Sequence, residues 1–194
     1  VPFIHPTALP VPAGKQQLTG REKVRMLSRM ARRALLYSAD FSGLSLGELL
    51  KTDAGAPVPS QGVHWSLTHK NGWVAAVAAP DAVGIDLETI REVDTRLYDR
   101  VADKMEWSRI GEPTLDRFFR LWTAKEAVLK ATGRGIAGLG KCRFDTMVNH
   151  DTLRMIYDGS AWMVTHHWIG REHVIAVTAE PDVIKWHILS ENNI

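Results

Sequence analysis

Asp86 and Glu88 stand one residue apart in the run VGIDLE, and a third acid, Glu126, is followed one helical turn later by Lys130 in LWTAKEAVLKATG. Alternate residues of a strand share a face, so Asp86 and Glu88 point together while Ile85 and Leu87 point away. Withdrawing even one ionised carboxylate from water is costly, and two neighbours repel each other. A divalent cation relieves both problems. The ordinary alternative is a strand end in solvent, with both acids hydrated. Glu126 lies four residues beyond Trp122 on the apolar stripe Leu115, Phe118, Phe119, Trp122 and Leu129, where leucine is the usual choice. The plain reading is a surface Glu126–Lys130 pair, worth roughly a few tenths of a kcal/mol. Against it, that pair interrupts the core-facing side of the helix. Lys125 is either the exposed neighbour of the pair or a further cation. Three acids and a lysine make a Mg²⁺ site for a phosphate ester, with carboxylate oxygens on the metal and the ammonium on the remaining phosphate charge.

These residues need elements to hold them. The helix of Glu126 is expected from about Pro113 to Ala131, with Pro near its first turn and Gly133 just past its end. An earlier helix starts at Thr19 and carries Val24, Leu27, Met30, Ala31, Ala34 and Leu35 at helical spacing, with a basic opposite face. VHWSLTH, GWVAAVAA and AVGIDLE read as three adjacent strands, forming a sheet against that first helix. The region from Val93 to Arg109 contains another helix. CRFDTMV, TLRMIYD, AWMVTHHWI, EHVIAVTAEP and IKWHIL resume the strands, while the proline-rich opening VPFIHPTALPVPAG is expected to lie extended over the surface.

A faint internal repeat pairs HWSLTH and the following GWVAAVAAPDAVGIDLE with AWMVTH and the following EHVIAVTAEPDVIKWHIL. In that register His187 falls opposite Asp86 and Leu189 opposite Glu88. The strand scaffold therefore does not require acids, which favours a functional role for them.

The remaining motifs carry less. GRGIAGLGKC imitates a dinucleotide or phosphate loop, but those need a strand before the glycines and a helix after, the reverse of the order here. Adjacent His166 and His167 on a strand point to opposite faces and do not share a metal. The tryptophans are core or half-buried residues, and Cys142, alone, builds neither a disulfide nor a cysteine zinc site. At 194 residues and net charge +2 the chain has the composition of a globular protein, with too little charge to indicate nucleic acid. No apolar run reaches the roughly 20 residues that span a bilayer, and no signal peptide is visible, so the cytoplasm is the expected compartment.

VGIDLE, the W-x-x-K-E-x-x-x-K pattern of Trp122, Lys125, Glu126 and Lys130, and SLTHKNGW, which is similar to an S-H-S segment, together resemble the Sfp-type 4'-phosphopantetheinyl transferases. The resemblance implies an α+β pseudo-dimer of two similar halves, 1–92 and 93–194, each a small antiparallel sheet packed with helices, with the active site between them. It implies a monomeric enzyme that uses coenzyme A and Mg²⁺ and moves phosphopantetheine onto a serine of an acyl or peptidyl carrier protein, releasing 3',5'-ADP. The alternative is a non-catalytic protein of the same fold that binds coenzyme A or a carrier protein. By the same resemblance Asp86, Glu88 and Glu126 hold the metal, and Glu126 is ligand, general base or both. Lys130 and Asp86 meet the coenzyme phosphates, as do Thr68 and His69. Arg25 and Arg29 are the candidates for the nucleotide. The chain departs from the family pattern at Gly55-Ala56-Pro57, where a basic residue often precedes the proline. It departs again at Lys70, which replaces the second serine of S-H-S and either reaches the 3'-phosphate or is solvated.

Overall fold

The computed structural model describes residues 2–191. In chain order its elements are β1 (Thr7–Pro10), α1 (Ala13–Gln16), α2 (Gly20–Phe41), β2 (His64–Lys70), β3 (Trp73–Ala79), β4 (Ile85–Thr89), α3 (Arg96–Val101), α4 (Lys104–Ile110), α5 (Leu115–Ala131), a 3₁₀ turn (Ile136–Lys141), β5 (Arg143–Met147), β6 (Thr152–Tyr157), β7 (Ser160–Ile169), β8 (His173–Val177), a second 3₁₀ turn (Pro181–Val183) and β9 (His187–Ile188). The α+β class expected from the sequence is the class observed. Contacts divide the described residues into two compact units: those up to Val83 together with those from Val183 onward, and Gly84–Asp182. The expected halves, 1–92 and 93–194, differ from this division in the boundary and in the unit that takes the C-terminal strand.

In the first unit the sheet order is β2-β3-β1-β9, with β1 antiparallel to β3 and parallel to β9. The proline-rich opening is therefore not a surface strap, because Ala8, Leu9 and Val11 are buried within the unit. Prolines lack the N–H that a ladder needs, but Pro6 precedes the strand and Pro10 is its last residue, opposite Trp73, so neither interrupts its interior. α2 buries Met26, Leu27, Ala31, Ala34, Leu35 and Ala39 over the alanine-rich β3. Small residues on both surfaces let helix and sheet approach closely. Val24, expected on this face, is exposed and Met26 takes its place, a register difference of the kind that one turn of a mixed apolar and basic sequence does not decide. Thr19 sits at the cap position without a side-chain capping bond.

In the second unit the order is β4-β8-β7-β6-β5, every pairing antiparallel. β4 is thus not the neighbour of β3 that the sequence suggested, and it forms the edge of this other sheet. α5 crosses β4, β8, β7 and β6 and buries Phe118, Phe119, Leu121, Ala124, Val128 and Leu129 in one core with Phe144, Leu153, Met155 and Val174. Each of these side chains larger than alanine contributes about 1.5–3 kcal/mol of burial. Thr114 caps α5 by accepting the Arg117 N–H. The Val93–Arg109 region holds two short helices, not one, and the strand expected at CRFDTMV is Arg143–Met147, entered through a 3₁₀ turn.

Candidate active site

β4 and α5 run side by side, and their contact depends on Gly84. A Cβ at this position would stand 1.9 Å from the Ala127 carbonyl oxygen and 2.7 Å from the Ala131 nitrogen, so only glycine lets the strand meet the helix backbone here. Glycine 84 also donates its N–H to Thr178 Oγ1, 2.8 Å away, which anchors the start of β4 to the end of β8.

Beyond Gly84 the two acids of β4 are buried, Asp86 4 % and Glu88 6 % exposed. The hydrated strand end is ruled out for them. Each meets a donor from α5. Lys130 Nζ donates to Asp86 Oδ1 at 2.6 Å and to the Ile85 carbonyl at 3.0 Å. Trp122 Nε1 donates to Glu88 Oε1 at 3.1 Å. Trp122, Glu126 and Lys130 recur every four residues along one helix margin, which explains why Glu126 interrupts an apolar stripe: that line of the helix serves β4. Lys130 pairs with Asp86 across the two elements, so the local Glu126–Lys130 surface pair is not the arrangement that forms.

Lys125, left open between an exposed neighbour and a further cation, is buried. Its side chain is 2 % exposed and that of Glu106 on α4 is 4 % exposed, with Nζ 2.7 Å from Glu106 Oε1. Glu106 also accepts the Phe144 N–H at 2.7 Å, and its carboxylate closes a capping box with Asp103 at the start of α4. Sequence reasoning passed over Glu106, although the capping-box spacing Asp103-x-x-Glu106 was visible. Cys142 is buried in the same region, and burial pushes its thiol up to about 12, which keeps it a packing residue.

Asp86, Glu88, Glu126 and Lys130 all belong to the unit Gly84–Asp182, whereas Arg25, Arg29, Thr68, His69 and Lys70 belong to the other. On β2, Thr68 and Lys70 share one face and His69 the opposite one. On α2, Arg25 and Arg29 are exposed one turn apart, beside a shallow depression also bordered by Arg21 and Arg32.

Three carboxylates are the hard oxygen donors that Mg²⁺ prefers. Among the described residues, however, no group of three His, Cys, Asp or Glu side chains is spaced to hold an ion. The donor type fits, and in this arrangement Lys130 and Trp122 engage Asp86 and Glu88.

Residues 82–178, which contain β4, α5 and the whole Gly84-anchored contact, match the family described as the 4'-phosphopantetheinyl transferase superfamily. The chain belongs to this superfamily. Its similarity to the 4'-phosphopantetheinyl transferase psf-1 of Bacillus pumilus is 34 % identity over 110 residues, covering 52 % of this chain and 47 % of the relative. Against the transferase gsp of Aneurinibacillus migulanus it is 31 % over 90 residues, 44 % and 38 % of the two chains. Against the transferase Sfp of Bacillus subtilis strain 168 it is 27 % over 78 residues, 38 % and 35 %. The matched stretches span less than two thirds of these relatives' lengths. Within the superfamily this chain is of the Sfp type, as its VGIDLE and W-x-x-K-E-x-x-x-K segments suggested.

Proposed function

We propose that this protein transfers the 4'-phosphopantetheine group of coenzyme A to a serine of an acyl or peptidyl carrier protein. The observation that carries the reading is the buried convergence of Asp86 and Glu88 on β4 with Trp122 and Lys130 on α5. A packing role alone does not call for two adjacent buried carboxylates on an edge strand, given the desolvation they incur. Asp86, Glu88 and Glu126 would hold Mg²⁺, which when bound supplies charge neutralisation for the pyrophosphate.

The serine Oγ attacks the phosphorus next to pantetheine, and the bond from that phosphorus to the bridging oxygen breaks. 3',5'-ADP leaves with the electron pair. Glu126 takes the serine proton, directly or through one water. Lys130, already an ammonium donor to Asp86, stabilises the charge that develops on the phosphate oxygens. His69, Thr68 and Lys70 of β2 and Arg25 and Arg29 of α2 are assigned to the coenzyme phosphates, on the strength of the family resemblance. Among the described residues no helix is long and apolar enough to cross a membrane, and the reading has the chain act as a monomer in the cytoplasm.

The test is mass spectrometry of a broad panel of apo carrier proteins incubated with the protein, coenzyme A and Mg²⁺. At least one carrier is expected to gain phosphopantetheine. Binding of coenzyme A without any gain would leave a non-catalytic binder, and release of nucleotide without any gain would indicate a phosphohydrolase. Either result overturns the proposal.

A further inference from the structure

A hollow in the unit Gly84–Asp182 is bordered by the first turns of α5, the turn around His150 and the β7–β8 connection, and Arg117, Arg120, Trp168 and Arg171 line it. It is a different place from the acids. Arg120 precedes Trp122 by two residues, about 200° around the helix at 3.6 residues per turn, and so faces away from the Trp122–Glu126–Lys130 line.

Arg120 is the unusual group. Its guanidinium donates only to the Asn149 and His150 carbonyls, and its Nε is shielded from solvent with no hydrogen-bond partner among the described residues. Among the described residues no carboxylate lies within ion-pair distance of it, and Asp151, whose carboxylate meets His150 Nδ1 at 2.7 Å, acts on it only from farther off. Burial acts to lower its proton affinity, and the Asp151 charge only partly opposes this. The backbone beneath it is fixed as well, since the Arg120 carbonyl lies 3.0 Å from Nε2 of the buried His166. Arg117 is held by donating to the Glu112 carbonyl at 2.8 Å, and Arg171 stands exposed at the hairpin turn. Asp116 is the acid on the rim, so the lining carries three guanidiniums against one carboxylate, with Asp151 outside it beside His150.

We infer that this hollow is an anion site for a phosphate monoester, with the guanidiniums of Arg117, Arg120 and Arg171 around the phosphate and Trp168 beside the esterified group. Three guanidiniums around one hollow outnumber its acid, and their forks match the several oxygens of a phosphate better than the two of a carboxylate. The half-buried indole of Trp168 supplies an apolar surface for whatever the phosphate is joined to. The inference is independent of the transfer reaction.

The test is ¹H–¹⁵N NMR of the full chain, titrated separately with inorganic phosphate, adenosine 5'-monophosphate and acetate. Phosphate and the nucleotide are expected to shift the Gly170 amide and the Trp168 indole saturably, and acetate to do so far more weakly. Tighter nucleotide binding assigns Trp168 to the organic part, and equal affinities assign the site to the phosphate group alone. Both outcomes support it. Arg117→Gln and Arg171→Gln should each weaken binding about tenfold, the loss of one charge-assisted contact, while Arg32→Gln on α2 leaves it unchanged. The exposed Arg171 gives a variant that folds even if Arg117→Gln does not. Absence of saturable shifts, equal binding of acetate, or equal weakening by Arg32→Gln would overturn the inference.

Discussion

Lys125 adjoins Glu126 in sequence, yet its burial against Glu106 gives the pair a different task. A buried ion pair adds little net stability over an apolar pair, but removing one member strands the other. Lys125→Met should therefore destabilise the protein by about 3–5 kcal/mol in urea unfolding, and the double variant Lys125→Met with Glu106→Gln should recover a large part of that loss. If the double variant is no better than the single, the stranded charge is not the cause. At this scale the sequence was legible where polarity broke a pattern. Asp86 and Glu88 on a strand otherwise apolar, and Glu126 on an apolar stripe, announce themselves because solvent cannot be their partner. Glu106 does not, since an acid in the first turn of a short helix is what any exposed capping box displays, and only its packing against Lys125 and the Phe144 N–H reveals otherwise.

The contact between β4 and α5 is the device that makes the site, and Gly84 controls it. Gly84→Ala sets a methyl against the Ala127 carbonyl at 1.9 Å, and neither backbone has room to yield without moving its element. A loss of about 3 kcal/mol or more is expected, measured as a lowered urea midpoint at unchanged m-value. A shift under about 0.5 kcal/mol would mean that strand and helix are not in close contact. The elements themselves were readable from their periods: α2, α5 and the strand runs lie close to their expected spans. Which sheet β4 joins was not. Its alternation is the same whether its neighbour is β3 or β8, and only long-range pairing, here with β8, decides. The opening strand was hidden for a related reason, because prolines mark loops locally while β1 tolerates them at its ends.

At the scale of the molecule, pH tests the packing of the second unit through His166. Its ring is buried, with Nδ1 and Nε2 each near a carbonyl, of Asp151 and Arg120. Desolvation first, and the Arg120 charge second, lower its pKa to about 4. The folded ring thus stays neutral to about pH 4 while the unfolded ring titrates near 6.5, so the unfolded state binds the proton first. This contribution is full above about pH 6.5 and is lost as pH falls toward 4, amounting to about 3 kcal/mol. Urea unfolding at pH 7 and pH 4.5 should show that loss in the wild type and a clearly smaller one in His166→Gln. Equal losses would mean that His166 is protonated, or free to be, in the fold.

The role proposed for the acids gathered by β4 and α5 is a proton and phosphate reaction. It is tested most directly by the rate at which Glu126→Gln loads phosphopantetheine onto an apo carrier that the wild type modifies, read by the mass of the carrier at saturating coenzyme A and Mg²⁺. Glu126 is half-buried at the helix margin and outside the core, so the variant should keep the wild-type thermal midpoint. The rate is expected to fall by about a hundredfold or more. A folded Glu126→Gln protein that loads the carrier within about twofold of the wild type, less than a single lost catalytic contact would cost, contradicts it.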